Sequence, residues 1–418
     1  MLDQILALIK KIIPRPVFRF FQPGYHWILA KFSGFFLGWP ANKMAVVGVT
    51  GTAGKSSTCY FTAQILAAAG FKVGMITTTL FKIGEKEWLN DKKMTMLGRW
   101  QLQKMLWQMQ RAGCTVAVVE TSSQGIEQFR HLGINYDILV LTNLYPEHIE
   151  AHGSFENYKK AKGKLFAYLQ TTNNKQLTTN NKQLLKTIIV NGDDENAEYF
   201  LSFPAERKLT FNGEKKLTTT LLGEYNNYNV NAAVAVAEAL AVPEEKITMA
   251  AKNLKSLPGR LELVENERDL KIMVDYAFEP KAMEKLYEAV KEIPHQKIIH
   301  ILGSAGGGRD KARRPVLGKL AAENADVIII TNEDPYDENP MKIIEEVADG
   351  VSKCQSVRCQ SFYKILDRRE AIRKALELAE AGDLILITGK GAEQAICVKN
   401  GKKIKWDDRE VMREELKK

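Results

Sequence analysis

Short apolar runs alternate with segments of helical spacing along most of this chain of 418 residues. From Lys43 onward, runs rich in β-branched residues, such as Ala45–Val49 and Val116–Glu120, predict buried strands. Between them, Trp100–Ala112 and Tyr158–Leu169 repeat apolar residues every three or four positions, which is typical of helices with one buried face. The remaining strand candidates are Ile138–Thr142, Ile188–Asn191, Ile272–Asp275, Ile298–Leu302, Val327–Thr331 and Leu384–Thr388. The alternation predicts an α/β fold in which mostly parallel sheets are covered by helices.

Length and turn signals divide the chain into three parts. A chain of this length is expected to form two or three domains. The linker Ser256–Gly259, which reads SLPG, interrupts the alternation and predicts a boundary. We therefore expect an N-terminal segment at residues 1–42, a central domain at 43–257 and a C-terminal domain at 258–418.

The N-terminal segment differs from the rest of the chain in composition. It is crowded with aromatic residues, and Asp3 is the only acidic residue among the first forty, beside five basic ones. The stretch Leu2–Ile13 has helical spacing that two prolines are expected to end. The apolar run His26–Trp39 is too short to predict a bilayer span. Peripheral contact of residues 1–40 with a membrane, packing on the protein's own body and self-association all fit this composition.

The net charge and the cysteine content limit which partners the protein is expected to bind and which compartment it is expected to occupy. The net charge of +9 favours anionic ligands, but the chain has no zinc-finger, recognition-helix or RNP pattern, so no nucleic-acid partner is expected. Phosphorylated or carboxylated small molecules would be attracted by the same charge. The five cysteines form no paired framework, which is typical of a reducing compartment. We expect a cytoplasmic protein, associated with a membrane if residues 1–40 contact one.

Residues 46–57 read VVGVTGTAGKSS and carry the strongest local signal in the chain. A β-branched run enters a glycine-rich turn that ends in Gly54, Lys55 and Ser56, and helical spacing follows. This order of strand, loop and helix is typical of a phosphate-binding loop, whose backbone N–H groups point at phosphate oxygens. Lys55 supplies a positive charge, and the Ser56 hydroxyl suits Mg²⁺. The segment predicts a nucleoside triphosphate site but does not specify the reaction.

Polar clusters follow several of the predicted strands. They are Glu120 with Thr121–Ser123, Asn143 with His148 and His152, Asp275, Gly303–Pro315, Asn332–Pro335 and Gly389–Gly391. Open α/β sheets bind their ligands at the carboxyl ends of strands. The clusters therefore predict ligand-binding residues in both halves of the chain.

Together these segments resemble the Mur ligases, a family of ATP-dependent synthetases of peptidoglycan assembly, and most of all the members that add the third amino acid of the stem peptide. The resemblance runs from about Lys43 to the C-terminus. It rests on GVTGTAGKSS at 48–57, ETSSQGIEQFR at 120–130, TNLYPEHIEAHGSFENYKKAKGKLF at 142–166, GEYNNYN at 223–229, PGRLE at 258–262, DYAFEP at 275–280, GSAGGGRDKARRP at 303–315, NEDPYDENP at 332–340, DRREAI at 367–372 and GKGAE at 389–393.

The resemblance implies a central P-loop ATPase domain and a Rossmann-like C-terminal domain. It implies that ATP phosphorylates the carboxylate of a muramyl peptide or a related substrate, and that the amine of an amino acid then displaces phosphate from the acyl-phosphate. The implied cofactors are ATP and two Mg²⁺ ions. The implied catalytic residues are Lys55, Glu120, His148 and Lys162. The implied metal ligands are Ser56, Glu120, His148 and a carbamylated Lys162.

Lys162 matches the family's carbamylated lysine because it lies fourteen residues after His148 in an AKGKLF segment. A carbamate would turn this cation into an anionic oxygen ligand for Mg²⁺. A solvated lysine in a lysine-rich helix is the alternative, since Lys159, Lys160 and Lys164 are its neighbours.

Other positions match the family's ligand-binding residues. Those implied to bind ATP are Thr52, Gly54, Lys55, Ser56, Ser57, Asn226, Asn229, Arg260 and Asp275. Those implied to bind the muramyl peptide or the amino acid are Thr95, Ser122, Gln128, Arg130, Arg309, Asp334, Gly389 and Glu393.

Four features depart from the family pattern. Only about forty-three residues precede the phosphate loop, where the family has a domain of about a hundred residues for the uridine diphosphate moiety, so that domain is expected to be lacking. Tyr336 stands where the diaminopimelate-specific members carry an arginine that pairs with the distal carboxylate, which a tyrosine does not replace. Phe278 replaces a histidine, and Glu147 replaces an aspartate.

Three other functions fit parts of the pattern. The first is a folylpolyglutamate-synthase-like or other carboxylate–amine ligase. The second is a non-ligase subunit that pairs with a glutaminase, but such relatives carry a four-cysteine zinc ribbon that this sequence lacks. The third is a scaffold without turnover, which the joint presence of Lys55, Glu120, His148 and Lys162 disfavours.

Overall fold

The computed structural model describes residues 15–92, 94–147, 152–171, 178–179, 182–214, 217–308, 310–356 and 358–418. Within these ranges, side chains are described except at residues 15–23, 178–179 and 182. The chain forms two compact units. The first consists of Met1–Trp88, Met94–Thr218 and Tyr228–Asn253, and the second of Leu89–Lys93, Thr219–Asn227 and Leu254–Lys418. The three domain ranges expected from the sequence remain predictions.

The first unit is built on a mostly parallel sheet. Its strands are β1 (Ala45–Thr50), β2 (Val73–Ile76), β3 (Leu80–Ile83), β4 (Lys86–Leu89), β5 (Val116–Glu120), β6 (Ile138–Leu141), β9 (Thr187–Asn191) and β10 (Arg207–Phe211), and two short strands, β7 (Thr178–Thr179) and β8 (Lys182–Gln183), pair separately. The order in the sheet is β10-β9-β6-β1-β5-β2-β3-β4, with β3 antiparallel to β2. Every residue of β1, β5, β6 and β9 is buried, which explains their continuous apolar runs.

Helices cover this sheet. They are α1 (Arg15–Phe36), α2 (Lys55–Ala68), α3 (Arg99–Arg111), α4 (Ser123–Glu127), α5 (Phe155–Thr171), α6 (Ala197–Leu201), α7 (Tyr225–Ala239) and α8 (Glu244–Lys252). The strand register aligns Val49 with Glu120 and Thr50 with Leu141. Because β1, β5 and β6 run parallel, the loops that follow them leave the same edge of the sheet.

The second unit has its own sheet, which is parallel except at one edge. Its strands are β11 (Glu262–Leu263), β12 (Lys271–Val274), β13 (Ile298–Leu302), β14 (Val327–Thr331), β15 (Ser361–Ile365) and β16 (Leu384–Ile387), with a separate hairpin of β17 (Ala395–Val398) and β18 (Lys402–Lys405). The helices are α9 (Pro280–Val290), α10 (Arg313–Asn324), α11 (Pro340–Ser352), α12 (Arg368–Leu378) and α13 (Asp408–Glu415). The order is β11-β12-β16-β13-β14-β15, and buried aliphatic clusters lie on both faces. The predicted α/β fold class is confirmed.

Candidate active site

The phosphate loop connects β1 to α2 in a tight glycine turn. Gly54 has φ 76° at the N-cap of α2, a left-handed conformation that favours glycine. A Cβ at Gly54 would lie 2.3 Å from Asn229 Oδ1, and one at Gly51 would lie 1.9 Å from Thr142 Oγ1. Both glycines are therefore required by close packing. The turn leaves the first N–H groups of α2 without a side-chain cap, which suits a phosphate group.

Side chains from the next strands fix the backbone of the loop. The N–H of Ala53 donates to Asn143 Oδ1 at 2.9 Å, and Thr142 Oγ1 donates to the Ala53 carbonyl at 2.7 Å. The Tyr158 hydroxyl donates to Thr52 Oγ1 at 3.2 Å. The Lys55 ammonium donates to the Thr52 carbonyl at 2.7 Å. The loop is therefore held in shape by the protein itself, which fits a preformed phosphate cradle.

Ser56 and Glu120 meet at the carboxyl ends of β1 and β5. The Ser56 hydroxyl donates to Glu120 Oε2 at 2.7 Å. The N–H of Thr78 donates to the same oxygen at 2.8 Å, and the Thr78 hydroxyl lies 2.9 Å from both Glu120 Oε1 and Thr95 Oγ1. A hydroxyl beside a buried carboxylate is an oxygen donor set that suits Mg²⁺. Hydrogen bonds therefore run from the phosphate loop to Thr95, the position that sequence assigned to substrate binding.

Some of the side chains that the family resemblance implies as ligands of a second metal ion are not among the described residues. Within the part of the chain that the structure describes, no cluster of three or more His, Cys, Asp or Glu side chains forms a metal site. His148, which sequence assigned as a metal ligand, is not among the described residues. The structure therefore leaves the number of metal ions as a prediction.

Lys162 is a buried lysine at the base of the phosphate loop, on α5. Only 1% of its surface is exposed, and its ammonium donates to the Gly51 carbonyl at 2.8 Å. The same nitrogen lies 4.6 Å from the centre of the Tyr158 ring. Burial lowers the pKa of Lys162 well below its ordinary value, and the charge of Lys55 adds to the effect. The alternative of a solvated surface lysine is wrong.

Ser122, Gln128 and Arg130, which the sequence assigned to substrate binding, follow β5 in the chain. In space they lie close to the start of α3. Ser122 is the N-cap of α4, where its hydroxyl accepts from the N–H of Gly125 at 3.2 Å. Gln128 is the residue after α4, and its carbonyl accepts from the Arg99 guanidinium. The Arg130 guanidinium donates in turn to the carbonyl of Met96, next to Thr95. Two arginines therefore tie these segments together.

Arg99 is a residue that sequence reasoning missed. Its guanidinium has no carboxylate partner among the described residues, and the same holds for Arg130; the Nε atoms of both are buried without a hydrogen bond. Burial lowers the pKa of Arg99 to about 10, and the charge of Arg130 contributes. Two neighbouring guanidinium groups without a counter-charge are suited to an anionic ligand. Arg99 also opens α3, whose N-cap Gly98 offers no side chain to the first turn.

In the second unit, Asp275 follows β12 and holds backbone groups. It is buried, and its two oxygens accept from the N–H groups of Leu261 at 2.8 Å and Ala277 at 2.7 Å. Burial raises the pKa of this carboxyl, while the charge of Arg260 and the hydrogen bonds oppose the rise. The Arg260 guanidinium lies 4.5 Å from the centre of the Tyr276 ring. Asn226, in the first turn of α7, donates to the Leu222 carbonyl at 2.7 Å.

A polar cluster in the same unit joins the ends of β14 and β16. The buried Lys390 ammonium donates to Asp334 Oδ1 at 2.9 Å and to Glu393 Oε2 at 2.6 Å. Glu393 also accepts from the Tyr276 hydroxyl at 3.2 Å. Gly389 has φ 97°, and a Cβ there would lie 2.5 Å from Glu333 Oε2. Sequence-assigned Asp334, Gly389 and Glu393 are thus brought together.

Glu333 and Arg313 lie in clusters that the sequence predicted to bind ligands, but neither residue was assigned a role of its own. Glu333 is buried with its Oε2 lacking a hydrogen bond among the described residues, and burial raises the pKa of this carboxyl to about 7. Arg313 is buried over the ring of Phe278 and donates to Glu279, and two of its nitrogens have no hydrogen bond within the ranges that the structure describes. Glu333 and Arg313 thus each have polar atoms without a hydrogen bond in the described ranges, and these suit the ammonium and carboxylate ends of a zwitterionic ligand. Arg309, the sequence-assigned neighbour, lies outside the described residues.

Comparisons with known proteins extend these observations. A model of the Mur ligase middle domain matches residues 49–237, and a model described as Mur ligase, glutamate ligase domain matches residues 259–391. A UDP-N-acetylmuramyl-tripeptide synthetase from Roseiflexus sp. (strain RS-1) is 34% identical over 427 residues, covering 95% of this chain and 82% of the relative.

Solved structures have the same fold. A structure of a UDP-N-acetylmuramoyl-L-alanyl-D-glutamate–2,6-diaminopimelate ligase has a TM-score of 0.58 at 26% identity, covering 90% of this chain and 78% of that chain. A Mycobacterium tuberculosis folylpolyglutamate synthase with ADP and AMPPCP has a TM-score of 0.67 at 15% identity, covering 87% and 92% of the two chains, which shows the fold alone. The family models and the relative cover most of this sequence. The chain therefore belongs to the Mur ligase family of ATP-dependent ligases, which join an acid to an amino acid through an amide bond.

Proposed function

We propose that this chain joins the carboxylate of a muramyl peptide to the amine of an amino acid in peptidoglycan precursor synthesis, through an acyl-phosphate. The observation that carries the proposal is the hydrogen-bonded path from Ser56 through Glu120 and Thr78 to Thr95. It connects the phosphate loop to the position assigned to the acceptor. A reaction that transfers phosphate from ATP to an acceptor carboxylate requires this proximity.

In this proposal the phosphate loop positions ATP. The residues that hold the triphosphate are Thr52, Gly54, Lys55, Ser56 and Ser57, with Asn229 packed against the loop. The uncapped N-terminus of α2 favours negative charge, and Lys55 supplies a mobile positive one. For Asn226, Arg260 and Asp275, nucleotide binding is a proposal that rests on the family motif.

The proposed metal ligands are Ser56, Glu120, His148 and a carbamylated Lys162. When bound, Mg²⁺ would neutralise the charge that develops on the transferred phosphoryl group. Carbamylation requires a neutral amine, and burial favours that form because it lowers the pKa of Lys162 well below its ordinary value. The amine lone pair attacks the carbon of CO₂, a C–N bond forms as the π pair of one C=O bond moves onto its oxygen, and the nitrogen releases a proton to solvent. The product is an anionic oxygen donor in place of a neutral amine.

The amino acid is proposed to bind in the polar cluster of the second unit. Glu333 and Glu393 place two carboxyl groups where an ammonium group would bind, and the lack of a side chain at Gly389 lets Glu333 lie against the backbone there. Arg313 donates to Glu279 through one nitrogen, and its other two, which have no hydrogen bond in the described part of the chain, are proposed to bind a carboxylate. Tyr336 does not replace an arginine as a partner for a second carboxylate. We therefore propose that the amino acid is lysine, or another without a distal carboxylate, rather than diaminopimelate.

A phosphate-release assay across UDP-muramyl-dipeptide and a panel of amino acids tests the reaction and the selectivity. We expect release that requires ATP, Mg²⁺, the muramyl peptide and an amino acid together. Lysine is expected to give a kcat/KM at least about tenfold above that for diaminopimelate, because one charge-assisted pair is missing for the latter. Release with folates and none with muramyl peptides would instead favour a folylpolyglutamate-synthase-like reaction.

Arg99 is proposed to bind an anionic group of the acceptor together with Arg130. We expect Arg99→Gln to raise the KM for the muramyl peptide by about tenfold, with little change in the KM for ATP, because a charge-assisted contact is lost. Steady-state phosphate release at varied acceptor concentration measures this. Lys104→Gln, which removes an exposed charge from the same helix, is the matched control. Equal KM values for Arg99→Gln and the unchanged protein would contradict the assignment.

Peripheral contact of residues 1–40 with a membrane also remains a proposal. None of the helices in the described ranges is long and apolar enough to cross a bilayer. The support for peripheral membrane contact is the set of large apolar side chains that α1 exposes.

A further inference from the structure

Helix α1 packs on the first unit through its smallest residues. Ala30 and Ser33 are fully buried, and Gly34 lies so close to the Trp39 ring that a Cβ would sit 2.5 Å from it. The helix rests against α3 and against the turn at Gly133. Its orientation on the first unit is therefore fixed by close backbone packing.

The opposite side of α1 exposes large apolar side chains. Trp27, Ile28, Phe32, Phe35 and Phe36 are between 51% and 72% exposed. Positions 28, 32, 35 and 36 repeat at the spacing of one helix face. This reverses the usual arrangement, in which a surface helix turns its apolar face inward and its polar face to water. A contiguous aromatic surface of this kind marks an interaction site.

Helix α3 extends the same surface. The Trp100 ring lies 6.1 Å from the Phe36 ring, measured between centres, and is 40% exposed. Lys104, one turn along α3 from Trp100, is exposed, and so is Lys31 on α1. We call the set of Trp27, Ile28, Lys31, Phe32, Phe35, Phe36, Trp100 and Lys104 the aromatic–basic surface. Aromatic rings beside lysines are typical of sites at the boundary between lipid headgroups and acyl chains.

Charge indicates what this surface contacts. No acidic residue occurs in the sequence between Asp3 and Glu85, whereas Lys10, Lys11, Arg15 and Arg19 add positive charge near the start of the chain. Basic residues beside an apolar helix face attract anionic lipids. Face-to-face pairing of two copies would instead bring like charges together. Charge complementarity between these basic residues and anionic lipids therefore favours a lipid surface over a second copy of this chain as the binding partner.

We propose that the aromatic–basic surface binds the face of a membrane containing anionic lipids. The rings of α1 and Trp100 enter the headgroup region, and Lys31 and Lys104 contact phosphate groups. The contact is peripheral and holds the first unit against the bilayer. It deepens the proposed membrane contact of residues 1–40 and does not depend on the ligase reaction.

Cosedimentation of the full chain with lipid vesicles tests the proposal. We expect binding to phosphatidylcholine vesicles in which about one lipid in four is phosphatidylglycerol, weaker binding to phosphatidylcholine alone, and release at high salt. The variant Phe35→Ser/Phe36→Ser is expected to bind about tenfold more weakly, because two inserted rings are lost. The control Met249→Ser/Phe362→Ser removes two exposed apolar side chains elsewhere and should bind like the unchanged protein.

Three results would overturn the proposal. One is the absence of binding to either vesicle. Another is unchanged binding by the Phe35→Ser/Phe36→Ser variant. The third is sedimentation of the unchanged chain as a dimer and of that variant as a monomer, which would assign the surface to self-association. Phosphate release by the unchanged chain and by both variants is measured without lipid. A variant that releases phosphate normally is folded, so its weaker vesicle binding is due to the lost surface side chains. Absence of release by the unchanged chain would count against the ligase assignment and not against the membrane assignment.

Discussion

Replacing Lys162 with arginine is expected to lower kcat for phosphate release by about a hundredfold to a thousandfold. Arginine keeps a positive charge at the base of the phosphate loop and does not form the carbamate that a neutral lysine forms with CO₂. The unchanged protein should lose activity in CO₂-depleted buffer and regain it on addition of bicarbonate. Intact-mass measurement in bicarbonate should detect one added CO₂, which the variant lacks.

Lys164→Arg is the matched control for this experiment because Lys164 lies on the same helix, α5, and is exposed. It should keep normal activity and the same response to bicarbonate. Circular dichroism of Lys162→Arg checks that the buried arginine does not unfold the domain. Activity of the unchanged protein that is indifferent to CO₂, with no added mass, would show that Lys162 acts as a free amine.

Replacing Glu120 with glutamine is expected to lower kcat by about a hundredfold and to raise the Mg²⁺ concentration needed for half-maximal activity. Glutamine has nearly the same shape and still accepts one of the hydrogen bonds from Ser56 and Thr78. It lacks the negative charge that attracts a divalent cation. Phosphate release measured over a Mg²⁺ titration separates lost metal affinity from lost structure.

Glu156→Gln serves as the control for Glu120→Gln because Glu156 is an exposed carboxylate in the first turn of α5. Its Mg²⁺ dependence should match that of the unchanged protein. If Glu120→Gln required no more Mg²⁺ than the control, then Glu120 would position Ser56 and Thr78 without binding the metal.

Sequence reasoning found the site residues that lie within contiguous motifs. The glycine turn at Gly51 and Gly54, Lys55 and Ser56 lie within ten residues, so local chemistry alone indicates a phosphate loop. Lys162 also has a local signal, because it lies four residues after Tyr158 and four before Phe166, on the buried face of α5. Its neighbours Lys159, Lys160 and Lys164 hide that signal, because they make the segment resemble a solvated, lysine-rich helix.

Thr78 and Arg99 were missed, and Glu333 and Arg313 were assigned no individual role, because the groups that surround them are distant in the sequence. Thr78 lies between β2 and β3 and reaches Glu120 only because β2 pairs with β5. A threonine in a loop carries no sign of such a partner. Glu333 did have a signal, since it directly precedes Asp334 after a buried strand, but only the structure shows that its Oε2 is buried without a hydrogen bond among the described residues.

The N-terminal segment shows most clearly which properties the sequence reveals and which only the structure reveals. Composition established that it is aromatic, basic and almost free of acids. It did not reveal which residues face the protein, because glycine, alanine and serine give a weak periodic signal beside so many aromatic rings. The structure shows the small residues packed inward and the rings outward, since close approach of α1 to its neighbours requires small side chains.

The sequence by itself determined the α/β class, the phosphate loop and the reaction family, because these depend on local spacing and on motifs of a few residues. Only the tertiary structure decided that Lys162 is buried against Gly51, that Thr78 links Glu120 to Thr95, and that Arg99 and Arg130 have no carboxylate partner in the part of the chain that the structure describes. Those properties depend on burial and on the pairing of distant strands, which fix distances and pKa values that no local pattern contains.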